Sequence, residues 1–261
     1  MRALTLTLLC LAALGLAACG DKSAGGKKVT KQKASGSITL GTVTASEGVP
    51  ETAPGVVRGR VVFEGKAPEM QPLREIKKEC LEAGHGPPVD DRVVIANGAL
   101  AGVVLTIQRA PEAPALAETP VAHVDQSSCV FVPRISVVRA GTEVYFTNSD
   151  TLSHNVRLES SINPPVNQTI GSSGEPMIVR LDEAETFPVK CDIHPWMKAW
   201  VTVVDHPWFA TSGADGTFEL PPLPPGTYGV SAWHEIFGTL QLRKLEVPPG
   251  GFVEIAVTFK R

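Results

Sequence analysis

The sequence predicts an all-β protein, and three observations carry that expectation. Runs that alternate apolar and polar side chains, such as residues 56–65 and 143–147, recur along the chain, with the period of two that a half-buried strand requires. Turn residues punctuate them: Asp215-Gly216 offers a positive φ, and Pro224-Pro225-Gly226 a preset one. No long stretch repeats apolar residues at helical spacing, so long helices are not expected.

Met1-Arg2 and the apolar run over residues 3–15 open the chain; the run is too short to span a bilayer and has the form of a secretory leader. Leu16-Ala17-Ala18-Cys19-Gly20 follows. This segment resembles the lipobox of bacterial lipoproteins, which implies removal of residues 1–18, lipidation of Cys19 and a lipid-anchored place on the periplasmic side of a bacterial membrane or at the cell surface. From 19 to 55 the chain is rich in Gly, Ser, Ala, Thr and Lys with little apolar periodicity. Such a composition does not offset its ordering entropy and reads as a flexible tether.

Residues 56–65 read as the first strand and 100–107 as another. Beyond residue 208 the Asp-Gly and Pro-Pro-Gly turns are expected to close hairpins between short strands. The 261 residues, 43% hydrophobic and 20% charged, suffice for one or two cores. Arg2, Lys22, Lys27, Lys28, Lys31 and Lys33 precede residue 55 against only Asp21, Glu47 and Glu51, so the remainder is more acidic than the formal charge of −3. That argues against nucleic acid as a partner, which needs a basic surface, and suits a positively charged redox partner.

Cys191-Asp192-Ile193-His194-Pro195-Trp196-Met197 brings a thiolate, an imidazole and a thioether into seven residues. Soft sulfur donors favour Cu(I) and imidazole suits both oxidation states, so one thiolate, two imidazoles and a weak axial Met allow copper to cycle between them. His154, after the strand-like residues 143–147 and an Asn148-Ser149-Asp150 turn, is the candidate second imidazole. Zinc, the competing metal, prefers a closed tetrahedral set without a thioether.

In this order residues 120–206 resemble the cupredoxins, the blue-copper family of plastocyanin, azurin and amicyanin. The resemblance runs through Cys129-Val130-Phe131-Val132-Pro133, Arg139-Ala140-Gly141-Thr142, His154-Asn155-Val156 and the ligand loop; its Cys-x2-His-x2-Met spacing is similar to that of amicyanin. It implies a Greek-key β-sandwich holding one type 1 copper ion on His154, Cys191, His194 and Met197. It also implies a hydrogen bond from Asn155 that ties its strand to the Cys191 loop, and one-electron transfer to a transiently bound redox protein. Pro195 and Trp196 would lie at the docking surface, with simple shielding of the loop as the alternative for Trp196.

The C-terminal stretch resembles the carboxypeptidase regulatory-like domain, a smaller transthyretin-like β-sandwich, through residues 214–218 and 223–228. The two earlier strands of that family look like Gly59-Arg60-Val61 and Gly102-Val103-Val104. The copper domain is therefore expected to be inserted into, or joined to, a sandwich split over residues 56–110 and 208–261.

Cys10 leaves with the leader, and Cys80 and Cys129 remain in an oxidising compartment, where a disulfide is expected. The alternative is a second metal site with His85 and His123. His206 and His234 read as hydrogen-bonded histidines where the two domains join. No nucleophile with an orienting base, and no phosphate-binding loop, stands out. A carrier rather than an enzyme is expected, with copper delivery, or an envelope module with a vestigial copper site, as the alternatives.

Overall fold

The computed structural model describes residues 34–69, 73, 76–82 and 88–261. The leader, Cys19 and His85 lie outside the described residues. The chain first forms β1 (Gly36–Thr44), β2 (Val56–Glu64), the short helix α1 (Lys78–Glu82), β3 (Ile95–Ala96), β4 (Ala99–Leu100) and β5 (Val104–Gln108). Nine strands follow: β6 (Val121–Ser127), β7 (Val130–Val132), β8 (Ile135–Arg139), β9 (Thr142–Asn148), β10 (His154–Leu158), β11 (Val166–Ile170), β12 (Met177–Leu181), β13 (Glu185–Lys190) and β14 (Lys198–Val204). The chain ends with β15 (Phe209–Thr211), β16 (Thr217–Glu219), β17 (Gly226–His234), β18 (Gly238–Val247) and β19 (Phe252–Lys260).

These strands build an all-β protein of two sandwiches. Strands β11-β10-β13-β14-β8 face β12-β9-β6-β7, and their inward side chains, among them Phe131, Phe146, Phe187 and Val201, form one core. The other sandwich takes strands from both sides of that block: β1-β19-β2-β4-β3, with β16 on β2, face β15-β5-β17-β18. Its core mixes Val57, Val61, Leu105 and Ile107 with Phe218, Leu245, Ile255 and Phe259. The pairing is long-range and extensive: β2 runs parallel to β19 from Val56↔Phe252 to Glu64↔Lys260, and β5 is antiparallel to β17.

Three expectations about this flanking sandwich are corrected. Residues 36–44 are not part of a tether but strand β1, paired with β19 from Gly36↔Phe259 to Thr44↔Phe252. Only Ile38 of β1 is buried, so backbone hydrogen bonds to an edge rather than an apolar face hold it there. Residues 100–107 are not one strand: Gly102, at φ 72°, separates β4 from β5, a conformation that costs glycine little. Finally, Asp215-Gly216 does not close a hairpin. β15 pairs with β5 in one sheet and β16 with β2 in the other, so the turn carries the chain across the sandwich, and Pro224-Pro225-Gly226 brings it back to β17. Gly216 sits at φ 77°, where an added Cβ would lie 2.3 Å from the Val61 carbonyl oxygen; its own carbonyl accepts the Val61 N–H at 2.8 Å. The Asp-Gly turn is shaped by docking on β2.

Among the described residues, the links between the sandwiches include a polar cluster, a Trp200–Trp233 ring contact and a disulfide. Arg134 donates from Nε and Nη2 to Glu235 at 2.5 and 3.0 Å and from Nη1 to Asp91 at 2.9 Å; the Glu235 side chain is 3% exposed. Trp200 of β14 donates its indole N–H to the same carboxylate at 3.1 Å. One link is covalent: Cys80 of α1 and Cys129 form the disulfide. It uses both sulfurs, so the alternative of a second metal site on these cysteines is not realised, and His123 is exposed beside Tyr145.

Candidate metal centre

Alternation of side chains along two strands places the donors. His154, Val156 and Leu158 of β10 point inward, as do Phe187 and Val189 of β13 and the following Cys191. β10 and β13 pair at Arg157↔Lys190, so one step further the antiparallel register sets Cys191 and Asp192 beside Asn155. The contacts follow: the Asn155 N–H donates to Cys191 Sγ at 3.3 Å, and Asn155 Oδ1 accepts the Asp192 N–H at 3.2 Å. Asn155 Nδ2 donates to Asn167 Oδ1 at 2.6 Å, and Asn167 in turn donates to Asp192. One asparagine therefore ties β10, β11 and the ligand loop together.

That loop is a tight reversal between β13 and β14. The Cys191 N–H donates to the Met197 carbonyl at 3.3 Å, and the Met197 N–H donates to the His194 carbonyl at 2.9 Å. The turn folds His194 back over Cys191, with His194 Nδ1 3.9 Å from Cys191 Sγ and 2.8 Å from His154 Nδ1. His154, Cys191 and His194 each offer a ligand atom within 4.8 Å of those of the other two. His154 is fully buried, Cys191 and His194 are 3% exposed and Met197 is 1% exposed, in the core that holds Cys191.

Burial first, then the neighbouring His154 and Lys77, lower the pKa of His194 from 6.5 to about 4, so its imidazole is neutral at neutral pH, the form in which a histidine ligates a metal. Cys191 is the sole cysteine among the described residues outside a disulfide. Two imidazole nitrogens and one cysteine sulfur, converging in a buried cluster with Met197 in the same core, match copper's preference for mixed nitrogen and soft sulfur donors.

Trp196 is half-buried, 5.1 Å from the His194 ring, and donates its indole N–H to the Cys129 carbonyl at 3.0 Å. Pro195 is exposed. His206 and His234 lie apart from this cluster. His206 meets the Ile107 carbonyl through Nε2 and accepts the Trp208 N–H at Nδ1; His234 accepts the Ile236 N–H and stacks on Phe237. One participant escaped the sequence reading: Asp150, whose carboxylate is 2.7 Å from His154 Nε2. Its signal was a carboxylate four residues ahead of a candidate ligand, hidden by the equally good reading of Asn-Ser-Asp as a turn.

Residues 119–204 match the family model of copper binding proteins, plastocyanin/azurin family. The match covers the whole nine-strand sandwich with its donor cluster and supports a cupredoxin domain there. Among solved structures, the chain is similar to a purple cupredoxin from Nitrosopumilus maritimus, at 21% identity and TM-score 0.28 over 32% of this chain and 99% of that one. It is similar to amicyanin from Paracoccus versutus at 21% identity and TM-score 0.29, over 38% of this chain and 97% of that one. A copper-containing nitrite reductase from Thermus scotoductus SA-01 matches at 24% identity and TM-score 0.31 over 37% of this chain; the chain spans only 25% of that enzyme. No curated protein matches.

Proposed function

We propose that this protein is a one-electron carrier with a single type 1 copper ion that His154, Cys191, His194 and Met197 would hold. The observation that carries the reading is the buried convergence of ligand atoms from His154, Cys191 and His194 within 4.8 Å. Copper, when bound, supplies a reversible Cu(I)/Cu(II) couple. The protein's part is to keep the donors in one geometry for both states. His154 and Cys191 sit at the ends of paired strands, His194 is fixed by the Met197 N–H, and Asn155 locks the two strands in register. A scaffold so constrained reorganises little when an electron moves. Trp196, 5.1 Å from the His194 ring, and the exposed Pro195 are where a redox protein would dock in a small, transient contact.

Burial of the cluster supports this reading over copper delivery, in which the ion must leave: His194 is 3% exposed, and the chain has only four Met. We read the flanking sandwich as carboxypeptidase regulatory-like, and Cys19 as the lipidated anchor that holds the carrier at the periplasmic face of a membrane or at the cell surface. The role is that of a carrier, not an enzyme. Loading the full chain with Cu(II) and recording visible and EPR spectra beside Cys191→Ser tests the proposal. An intense thiolate-to-copper band that is absent in the variant, and that returns after one cycle of reduction and reoxidation, is expected. A colourless chain, or copper held equally well without Cys191, overturns it.

A further inference from the structure

The Asp150 carboxylate is buried beside the donor cluster, with 1% of its side chain exposed. Its Oδ2 lies 2.7 Å from His154 Nε2 and accepts the Cys129 N–H at 2.8 Å, while Oδ1 accepts the Ser128 N–H at 2.7 Å. Among the described residues these partners are two backbone amides and one imidazole, with no lysine or arginine hydrogen-bonded or ion-paired to it. The amides come from a strained place. Ser128 and Cys129 form the two-residue connection between β6 and β7, at φ 56° and 54°. That left-handed conformation is normally left to Asn, Asp and Gly, and non-glycine residues held there mark sites where surrounding structure over-determines the backbone. Here both strained N–H groups point at one carboxylate. Cys129 is further held by its disulfide to Cys80, and its carbonyl by the Trp196 indole.

A carboxylate only accepts hydrogen bonds, so the Nε2 facing it carries the proton. In the neutral ring His154 Nδ1 is then the nitrogen with the lone pair, so the N–H of the 2.8 Å contact between the two Nδ1 atoms sits on His194 in the metal-free chain. A histidine whose far nitrogen donates to a carboxylate is fixed in tautomer and ring orientation and is a more basic ligand. An ionised carboxylate behind the ligand would favour the higher charge on a metal in front of it.

We propose that Asp150 is a positioning residue of the metal centre: anchored by the Ser128-Cys129 turn, it locks His154 as the Nε2–H tautomer and biases bound copper toward Cu(II). The proposal rests on the copper reading above only for its second half. The first half is tested on the metal-free full chain by nitrogen NMR of the histidine side chains, where His154 is expected as the Nε2–H tautomer; an Nδ1–H tautomer overturns the proposal whatever the metal. The second half is tested on the copper-loaded chain. Asp150→Asn is expected to move the ratio of Cu(II) to Cu(I) affinity at least tenfold toward Cu(I), a rise of 59 mV in midpoint potential, and Asp150→Glu to restore most of it. An unchanged midpoint in Asp150→Asn with an intact visible band overturns the bias. Should the chain take up no copper, the copper reading fails while the tautomer measurement still decides the role of Asp150. Should Asp150→Asn not fold, the wild-type tautomer and the midpoint of Asp150→Glu remain decisive: a midpoint far from wild type in Asp150→Glu, with His154 as the Nδ1–H tautomer, counts against the proposal.

Discussion

The nine-strand sandwich and the flanking one each rest on a contiguous apolar core, and both bury histidines, yet they spend them differently. In the flanking region His206 uses both ring nitrogens on backbone groups, and His234 accepts a backbone N–H and stacks on Phe237. These imidazoles act as internal hydrogen-bonding wedges. In the nine-strand sandwich His154 and His194 turn Nδ1 toward each other and toward a free thiol. Burial does not separate the two kinds, for all four are under 10% exposed. What separates them is what meets Nδ1: in His206 and His234 that nitrogen accepts a backbone N–H, whereas in His154 and His194 the two Nδ1 atoms face each other, and where the main chain supplies no partner for a buried polar atom the site is built for something else.

The comparison breaks most decisively at the donors. His154→Ala and His194→Ala are expected to abolish the visible band of the copper-loaded chain, whereas His206→Ala should keep it and lower stability by about 1–3 kcal/mol, the cost of leaving the Ile107 carbonyl and Trp208 N–H unpaired. Denaturant titration and a visible spectrum of each variant check this; a band that survives loss of His154, or vanishes with His206, ends the distinction.

The next effect concerns the staple between the regions. Replacing Cys80 and Cys129 together by Ser opens a loop with a sequence separation of 49, for which chain entropy predicts a loss of about 4 kcal/mol. Because Cys129 also carries the amide that reaches Asp150, the copper midpoint should shift in the same variant. Chemical unfolding and voltammetry on one sample separate the two consequences.

Acid should reveal His234 next. Burial, aided by Arg134 and opposed by Glu235, lowers its pKa from 6.5 to about 4. The unfolded chain therefore takes up this proton first, so the contribution is fully present above pH 6.5 and is lost as pH falls toward 4, by roughly 3 kcal/mol. Unfolding midpoints of the metal-free chain from pH 7 to 4 should slope less steeply in His234→Gln than in wild type; equal slopes would remove His234 from the account.

The smallest effect lies farthest from the donors. Ser212 Oγ accepts the Val103 N–H at 3.0 Å and donates to the Leu100 carbonyl at 2.9 Å, both buried. Ser212→Ala should cost about 1–3 kcal/mol and leave the copper spectrum unaltered, a result that would localise the spectrum to the other sandwich.

What was legible in the sequence was what a short stretch of chain can encode. The β class showed in alternation and turn residues, and the candidate donors in the loop were readable because seven consecutive residues bring Cys191, His194 and Met197 onto one reversal. The resemblance to the cupredoxins was readable too, and residues 119–204 match the copper-binding family. The misreadings have a common cause. Residues 36–44 carry the β-branched pattern Ile38-Thr39, Thr42-Val43-Thr44, but only pairing with β19, more than 200 residues away, makes them a strand; composition alone places them in a tether. Asp215-Gly216 fits a hairpin locally, and the docking of its carbonyl on Val61 turns it into a crossover.

The sequence by itself determined the chemistry on offer: a thiolate, two imidazoles and a thioether, with strands to carry them. Only the tertiary structure decided which polar atoms those groups would face. Strand pairing at Arg157↔Lys190 sets Asn155 against the thiolate, and the left-handed Ser128-Cys129 turn sets two amides, and through them Asp150, against His154. Donor identity is a property of residues, whereas a donor's tautomer and field are set by neighbours that the chain brings back from far along its length.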